Sequence, residues 1–250
     1  MKHILLTNDD GVHAPGIHAL QQALEGLAEI TVIAPLTEQS ATSHSLTLHR
    51  PLRIHRISER VWGVQGTPTD CVLVAVKEFM GHRPDLVLSG FNQGPNLGED
   101  VLYSGTVAAA MEGALLGIGS VALSLATWTG HDFGVAGTVA RRLVERLLSR
   151  ELPPRFLLNV NIPPLPLESI LGYKLCRLGS RVYDDAIIKK TDPRGKDYYW
   201  IGGAEPRWKS SADSDFSALE EGYVSMTPIL LDLTDDAGFG FLSTLAPEWP

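Results

Sequence analysis

Short, almost wholly apolar runs alternate with longer amphipathic stretches through the first 160 residues. The runs fall at Ile4–Leu6, Ile30–Ala34, Leu86–Leu88, Val121–Leu125 and Phe156–Val160. Continuous hydrophobicity over so few residues predicts strands buried on both faces, as in a parallel sheet. Between them, apolar side chains recur every three or four residues. Ile17, Leu20, Leu24 and Leu27 make one stripe, and Val72, Ala75, Val76 and Phe79 a second. Val107, Ala110, Met111, Ala114, Leu115 and Ile118 form the cleanest; Ala136, Val139, Ala140, Leu143 and Leu147 form the last. Each predicts a helix that lays one face on the sheet. The pattern therefore predicts an α/β fold: a Rossmann-like, mostly parallel sheet with helices on both faces.

Helix starts are marked chemically. Thr67-Pro68-Thr69-Asp70 offers a capping hydroxyl, a proline at the first helical position and a carboxylate at the third. Ser104-Gly105-Thr106 brings two hydroxyls to the start of the cleanest stripe. Residues 46–65 break the rhythm with spaced apolar positions that predict extended chain, in the form of an inserted β-hairpin. After Pro163-Pro164-Leu165-Pro166 the pattern changes again. Residues 172–203 read as a long projecting C-terminal β-hairpin, turning at Asp192-Pro193-Arg194-Gly195 and carrying the strand signal Tyr198-Tyr199-Trp200-Ile201. A further extended run, Gly222–Thr227, follows the acidic stretch Asp213–Glu221. An aromatic hairpin cannot bury both of its faces alone, so it either packs back on its own domain or serves in oligomerisation. The whole chain reads as one domain, 1–250, with an α/β core over 1–165 and a hairpin-containing extension over 166–250.

Composition narrows the classes. The 250 residues carry a net charge of −8, with 44% apolar and 20% charged residues, which is ordinary for a globular protein. That balance argues against a nucleic-acid polymer or a membrane surface as partner, since both require basic patches. It leaves a phosphorylated substrate open, because a local metal can outweigh the global field. Cys71 and Cys176 are the only cysteines, too few for a disulfide framework and without metal-ligand spacing. Cys71 falls on the apolar side of its helix, the place of a buried inert thiol. No signal peptide pattern precedes the first strand and no apolar run reaches about 18 residues. A cytoplasmic location is the expectation.

The candidate chemistry begins where the first strand ends, at Asn8-Asp9-Asp10-Gly11. All three residue types make turns, and a plain turn is the simpler reading. Yet adjacent carboxylates need a cation, a shared proton or bulk water, and open α/β sheets bind ligands at the carboxyl ends of their strands. Mg²⁺ and Mn²⁺ favour carboxylate, carbonyl and water oxygens. The second strand leads into a hydroxyl-rich loop containing Ser40 and His44; Ser40 can complete a hard-cation shell, whereas a lone histidine in a loop is ordinarily solvated. The third leads into Ser89–Asp100, whose glycines and asparagines suggest backbone closely approaching a ligand. That loop delivers Asn92, then reaches the helix start at Ser104–Thr106, where free amides favour an anion. It is not a Walker A loop, because no Gly-Lys-Ser/Thr follows its glycines, and its helix begins too late for a dinucleotide fingerprint. Asp9, Asp10, Ser40 and Asn92 thus converge as hard-cation oxygen ligands beside a potential anion hole, the equipment of phosphoryl-ester hydrolysis.

These segments resemble those of the SurE (survival protein E) nucleotidases. The resemblance lies in Asn8-Asp9-Asp10-Gly11-Val12-His13-Ala14-Pro15-Gly16-Ile17, Gly66-Thr67-Pro68-Thr69-Asp70-Cys71-Val72, Ser89–Gly98 and Tyr103-Ser104-Gly105-Thr106-Val107. It continues in Asp192-Pro193-Arg194-Gly195, Tyr199-Trp200-Ile201 and Glu221-Gly222-Tyr223-Val224-Ser225, so it spans nearly the whole chain. Phe91 departs from it, since an aliphatic residue is more usual there, and the tail from Ala237 adds little. The resemblance implies a 5′-nucleotidase that releases phosphate from nucleoside monophosphates, with 3′-nucleotides and short polyphosphate as further substrates. It implies one divalent cation per subunit, Mg²⁺ or Mn²⁺, on Asp9, Asp10, Ser40 and Asn92. Asn96, Ser104, Gly105 and Thr106 are its substrate-binding positions, and the hairpin implies a homodimer or homotetramer.

Asp9 or Asp10 is also the candidate to orient or deprotonate the attacking water. A covalent aspartyl-phosphate route fits less well, because position 11 is glycine and position 12 valine where an Asp-x-Asp pair would be needed. Two rivals come from other classes: a non-catalytic nucleotide sensor on the same fold, and a purely structural oligomer.

Overall fold

The computed structural model describes residues 1–129, 132–182, 187–201, 207–209 and 211–245. In chain order the main elements are β1 (His3–Thr7), α1 (Pro15–Ala23), β2 (Glu29–Pro35), β3 (Ile54–Ser58), β4 (Val61–Val64) and α2 (Pro68–Val74). Then come β5 (Leu86–Gln93), α3 (Gly105–Leu115), β6 (Ser120–Leu125), α4 (Phe133–Leu148), β7 (Leu157–Ile162) and β8 (Tyr173–Leu175). The remainder holds β9 (Arg181–Val182), β10 (Ile187–Thr191), β11 (Asp197–Ile201), β12 (Arg207–Trp208), α5 (Asp215–Glu220), β13 (Val224–Pro228) and α6 (Asp236–Leu245).

The central sheet runs β3-β4-β2-β1-β5-β6-β7-β13-β8. From β4 through β7 every neighbouring pair is parallel. Only β3 on one flank and β13 on the other pair antiparallel to the parallel block. The chain builds outward from β1 through β2 to β4, then returns to β5 on the other side of β1. The order therefore reverses between β1 and β5, the switch point where such sheets leave a crevice beyond their carboxyl ends.

Alternation along β1 shows why both faces are covered. Ile4 and Leu6 pack with Ile17 and Leu20 of α1 and with Ala136 and Val139 of α4. Leu5 points the other way, into Cys71 and Val72 of α2 and Ala109 of α3. Thr67 and Asp70 form a reciprocal capping box on α2, and Ser104 caps α3 through the Val107 N–H. Cys71 is fully buried, and that burial pushes its thiol well above the ordinary range.

Three elements differ from the pattern-based reading. β5 does not stop at Leu88 but continues to Gln93 after an irregularity, so Asn92 sits on the end of a strand and pairs with Ser124. Buried backbone needs partners, and β6 supplies them. The stripe from Val72 to Phe79 splits into α2 and a π-helical turn, Ala75–Phe79. Past residue 165 the chain returns to the central sheet, because β13 completes the open edge of β7 and β8 then pairs with β13.

The inserted hairpin is β3–β4, while residues 46–53 stay outside the sheet. The projecting hairpin is β10–β11, turning at 192–196, with a short β9–β12 ladder at its base. The parts of the expected hairpin at 183–186 and 202–203 lie outside the described residues. Among the described residues no helix is long and apolar enough to cross a membrane.

Candidate active site

β1 delivers its carboxylates through a turn closed by its own asparagine. Asn8 Nδ2 donates to the Gly11 carbonyl at 2.9 Å, and Asn8 Oδ1 accepts the Gly11 N–H at 3.2 Å. Gly11 takes φ +102°, a backbone conformation costly for any residue with a Cβ. The turn buries Asp9 and leaves Asp10 half-buried, and both line a cavity of about 1250 Å³.

The loop after β2 is strapped to this turn. Val12 N–H donates to the Pro35 carbonyl and Gln39 N–H to the Asp9 carbonyl, each at 2.7 Å. Ser40 follows on the same cavity wall, its hydroxyl donating to Glu38 Oε1 at 2.7 Å. His44 is elsewhere: its ring hydrogen-bonds the Glu112 carboxylate of α3 at 2.9 Å and does not line the cavity.

β5 brings the third contribution. Asn92 Nδ2 donates to the Gly94 carbonyl at 2.8 Å, which turns Asn92 Oδ1 toward Thr106 Oγ1, 3.2 Å away. The same Thr106 hydroxyl donates to Asp9 Oδ1. One hydroxyl proton thus lies between two acceptor oxygens, so it can satisfy only one of them at a time. Asp10 Oδ2 is held by the Gln93 N–H at 3.3 Å.

The start of α3 abuts Asp9 because position 105 has no side chain. A Cβ on Gly105 would stand 2.8 Å from Asp9 Cβ, 3.0 Å from Asp9 Oδ2 and 3.2 Å from the Gln39 carbonyl. The candidate phosphate residues therefore divide. Asn96 and Ser104 line the cavity, whereas Gly105 and Thr106 stand behind the carboxylate and do not. Asn96 is braced from three side chains: its N–H donates to Asn161 Oδ1, its Nδ2 to Ser124 Oγ, and its carbonyl accepts from Asn159 and Asn161.

Electrostatics at the turn favour a cation. Burial pushes the Asp9 carboxyl up against the opposing pull of its Thr106 hydrogen bond. Burial, and then the charge of Asp9, push Asp10 up to about 7. The other charge acting on both is Glu38, also negative. Among the described residues no three His, Cys, Asp or Glu side chains gather as a metal cluster. The set here is two carboxylates completed by neutral oxygens, which suits a hard cation that keeps part of its water.

Several residues that line or brace the cavity had no sequence signal of their own. Asp215, inside the acidic stretch, is buried and accepts from the N–H groups of Gly98, Gly179 and Phe216 at 2.9–3.0 Å. It pins the loop that carries Asn96, although burial holds its own carboxyl above the usual range. Arg181, arriving from β9, clasps Asp100 through both carboxylate oxygens, at 2.9 and 3.2 Å. Trp128 and Trp208 also face the cavity; only Trp128, a lone aromatic in a polar loop after β6, could have been singled out beforehand.

A doubly wound α/β domain with a carboxylate-centred oxygen cage at its switch point is the class that fold and site define. The family model for Survival protein SurE matches residues 4–185. The 5′-nucleotidase SurE of Vibrio cholerae is 54% identical over 232 residues, covering 92% of this chain and 92% of that protein. That of Heliobacterium modesticaldum is 49% identical over 237 residues, 93% of this chain and 87% of that one. The crystal structure of SurE protein from Aquifex aeolicus superposes with a TM-score of 0.89 at 43% identity, covering 98% and 99% of the two chains. The chain belongs to the SurE family.

Proposed function

We propose that the protein is a divalent-metal-dependent phosphomonoesterase that hydrolyses nucleoside 5′-monophosphates to nucleoside and phosphate. Further substrates on this reading are 3′-nucleotides and short polyphosphate. The observation that carries it is the oxygen cluster of Asp9, Thr106 and Asn92, one proton short, beside Asp10 and open to a cavity roomy enough for a nucleotide. Relatives named 5′-nucleotidase SurE support the substrate class.

Asp9, Asp10, Asn92 and Ser40 are the residues that would hold Mg²⁺ or Mn²⁺. The Ser40 oxygen keeps lone pairs for a cation while its proton stays with Glu38. When bound, such an ion supplies Lewis-acid polarisation of the phosphate and neutralises the paired carboxylates. The chain does the rest. Thr106 fixes the orientation of Asp9, while Asp10, less buried and held through one oxygen, would orient the attacking water and take its proton. The water oxygen bonds to phosphorus as the ester P–O bond breaks, and the departing nucleoside oxygen takes a proton from solvent. Asn96 and the capped start of α3 at Ser104 stabilise charge on the phosphoryl oxygens. The Trp200-bearing hairpin, whose strands are exposed along their whole length, supports a homodimer or homotetramer. A cytoplasmic enzyme acting on free nucleotides completes the reading, supported by two buried unpaired thiols.

The test is a panel of 5′- and 3′-nucleotides, polyphosphate and an aryl phosphate, assayed across a metal titration. Phosphate release from nucleoside monophosphates should require added Mg²⁺ or Mn²⁺ and vanish on chelation. Release that survives exhaustive chelation would overturn the metal assignment.

A further inference from the structure

The cavity is much larger than a phosphate requires, and one of its walls carries an aromatic ring with no evident structural duty. Trp128 lines the cavity, yet 68% of it is exposed. A tryptophan left so open gives up apolar burial that a folded chain ordinarily keeps. Its seat is nonetheless built. The turn that presents it is locked by the Thr127 hydroxyl, which donates to the Thr129 carbonyl at 2.7 Å and accepts the Thr129 N–H at 3.3 Å. Beneath the ring lies Gly94. A Cβ there would stand 2.3 Å from Trp128 Cζ3 and 2.6 Å from both Cε3 and Cη2. Nearly equal distances to three consecutive ring carbons put that point over the ring face and not beyond its edge. One face of the indole's six-membered ring thus covers bare backbone, and the exposure of the side chain leaves the opposite face open.

The other aromatics on the wall are placed differently. Trp208 is already stacked on Phe216, with ring centroids 5.2 Å apart and planes 20° from parallel. Tyr103 is exposed but smaller, and it adjoins the Ser104 cap. Gly94 in turn follows directly on Asn92 and Gln93, which contact Thr106 and Asp10. The indole therefore rests on Gly94, two residues beyond Asn92, and shares one cavity with the carboxylate cage.

We infer that Trp128 is the stacking platform for the nucleobase, the residue that makes a nucleoside phosphate a better substrate than a phosphate ester lacking a base. This rests on the nucleotidase reading above and adds the part of the substrate that the carboxylates cannot recognise. Stacking on a π-face accepts every base, so all four common bases should bind. Alanine substitution at a base-stacking aromatic weakens binding by about 5- to 150-fold.

The experiment measures KM and kcat for AMP, GMP, CMP, UMP and the base-free ribose 5-phosphate with metal-loaded enzyme. The variants are Trp128→Ala, Trp128→Phe and, for comparison, Tyr103→Ala. Trp128→Ala should raise KM for the four nucleotides by a factor in that range, with kcat within about twofold and ribose 5-phosphate unaffected. Trp128→Phe should recover most of the loss. Adenosine, which has no phosphate, should inhibit the wild-type competitively and the alanine variant more weakly by the same factor. An equal loss on ribose 5-phosphate would show a merely structural role and overturn the inference. So would unchanged nucleotide KM, or a base effect confined to Tyr103→Ala. A wild-type enzyme that turned over none of the nucleotides would instead strike at the nucleotidase reading itself.

Discussion

Asp9 and Asp10 are neighbours in sequence that the fold treats unequally. Asp9 is buried and tied to Thr106; Asp10 is half-buried and tied to the Gln93 amide. Both carboxyls sit above their ordinary range. An acid whose pKa rises on folding stabilises the fold below its unfolded value and loses that contribution as pH climbs toward its folded one. The metal-free protein should therefore lose thermal stability between about pH 4, the unfolded carboxylate range, and about pH 7, the folded value at Asp10. Mg²⁺ or Mn²⁺ should reverse that loss, raising Tm more at pH 8 than at pH 5 in a melting series. Equal metal shifts at both values would mean the ion binds elsewhere. Asp9→Asn and Asn92→Ala should each cut turnover by roughly 10²-fold or more, with far-ultraviolet circular dichroism preserved. Thr106→Val should act more mildly, weakening apparent metal affinity by about 10- to 100-fold through a ligand left unoriented.

The elements matter here mainly for what they hold still. β5 continues past its irregularity so that Asn92 is fixed by strand pairing and not by a loop. α3 presses on Asp9 through Gly105, so Gly105→Ala should push the helix start off the carboxylate. Steady-state kinetics should then show a fall in kcat of about tenfold or more, the usual scale for an ångström of misplacement; an unchanged kcat would mean the backbone absorbs the methyl group freely. Asp215 acts from farther away. Its replacement by alanine strands the Gly98 and Gly179 amides, which should cost at least ~2 kcal/mol in denaturant unfolding and loosen the Asn96 loop.

At the scale of the molecule, the exposed hairpin lets the proposed assembly be tested apart from the chemistry. Tyr199, Trp200 and Ile201 are 59%, 61% and 88% exposed, a band too apolar for an isolated two-stranded ribbon. Trp200→Glu together with Ile201→Lys should lower the mass seen by light scattering while leaving the core transition of the subunit in place. An unaltered mass would overturn the hairpin as the proposed subunit contact. The alternation of apolar runs and stripes was legible because buried parallel strands and half-buried helices leave different periods in sequence. That Asp9, Asp10, Ser40 and Asn92 share one cavity was legible because the topology gathers the loops after the strand ends around one crevice. Asp215 and Arg181 were not, since nothing local marks a charge whose partner, Gly98 or Asp100, lies 117 or 81 residues away.

Local chemistry by itself determined the strand and helix alternation, the caps at Thr67 and Ser104, and the Asn8–Gly11 turn, because each depends on residues within a turn or two. The motifs also determined the family to which the chain belongs. Only the tertiary structure decided that β13 and β8 complete the central sheet, that Gly105 and Thr106 back the carboxylate instead of facing the cavity, and that Trp128 lies face down on Gly94. Those outcomes depend on which distant backbone atoms meet, and contacts between segments far apart in the chain leave no period for a sequence to show.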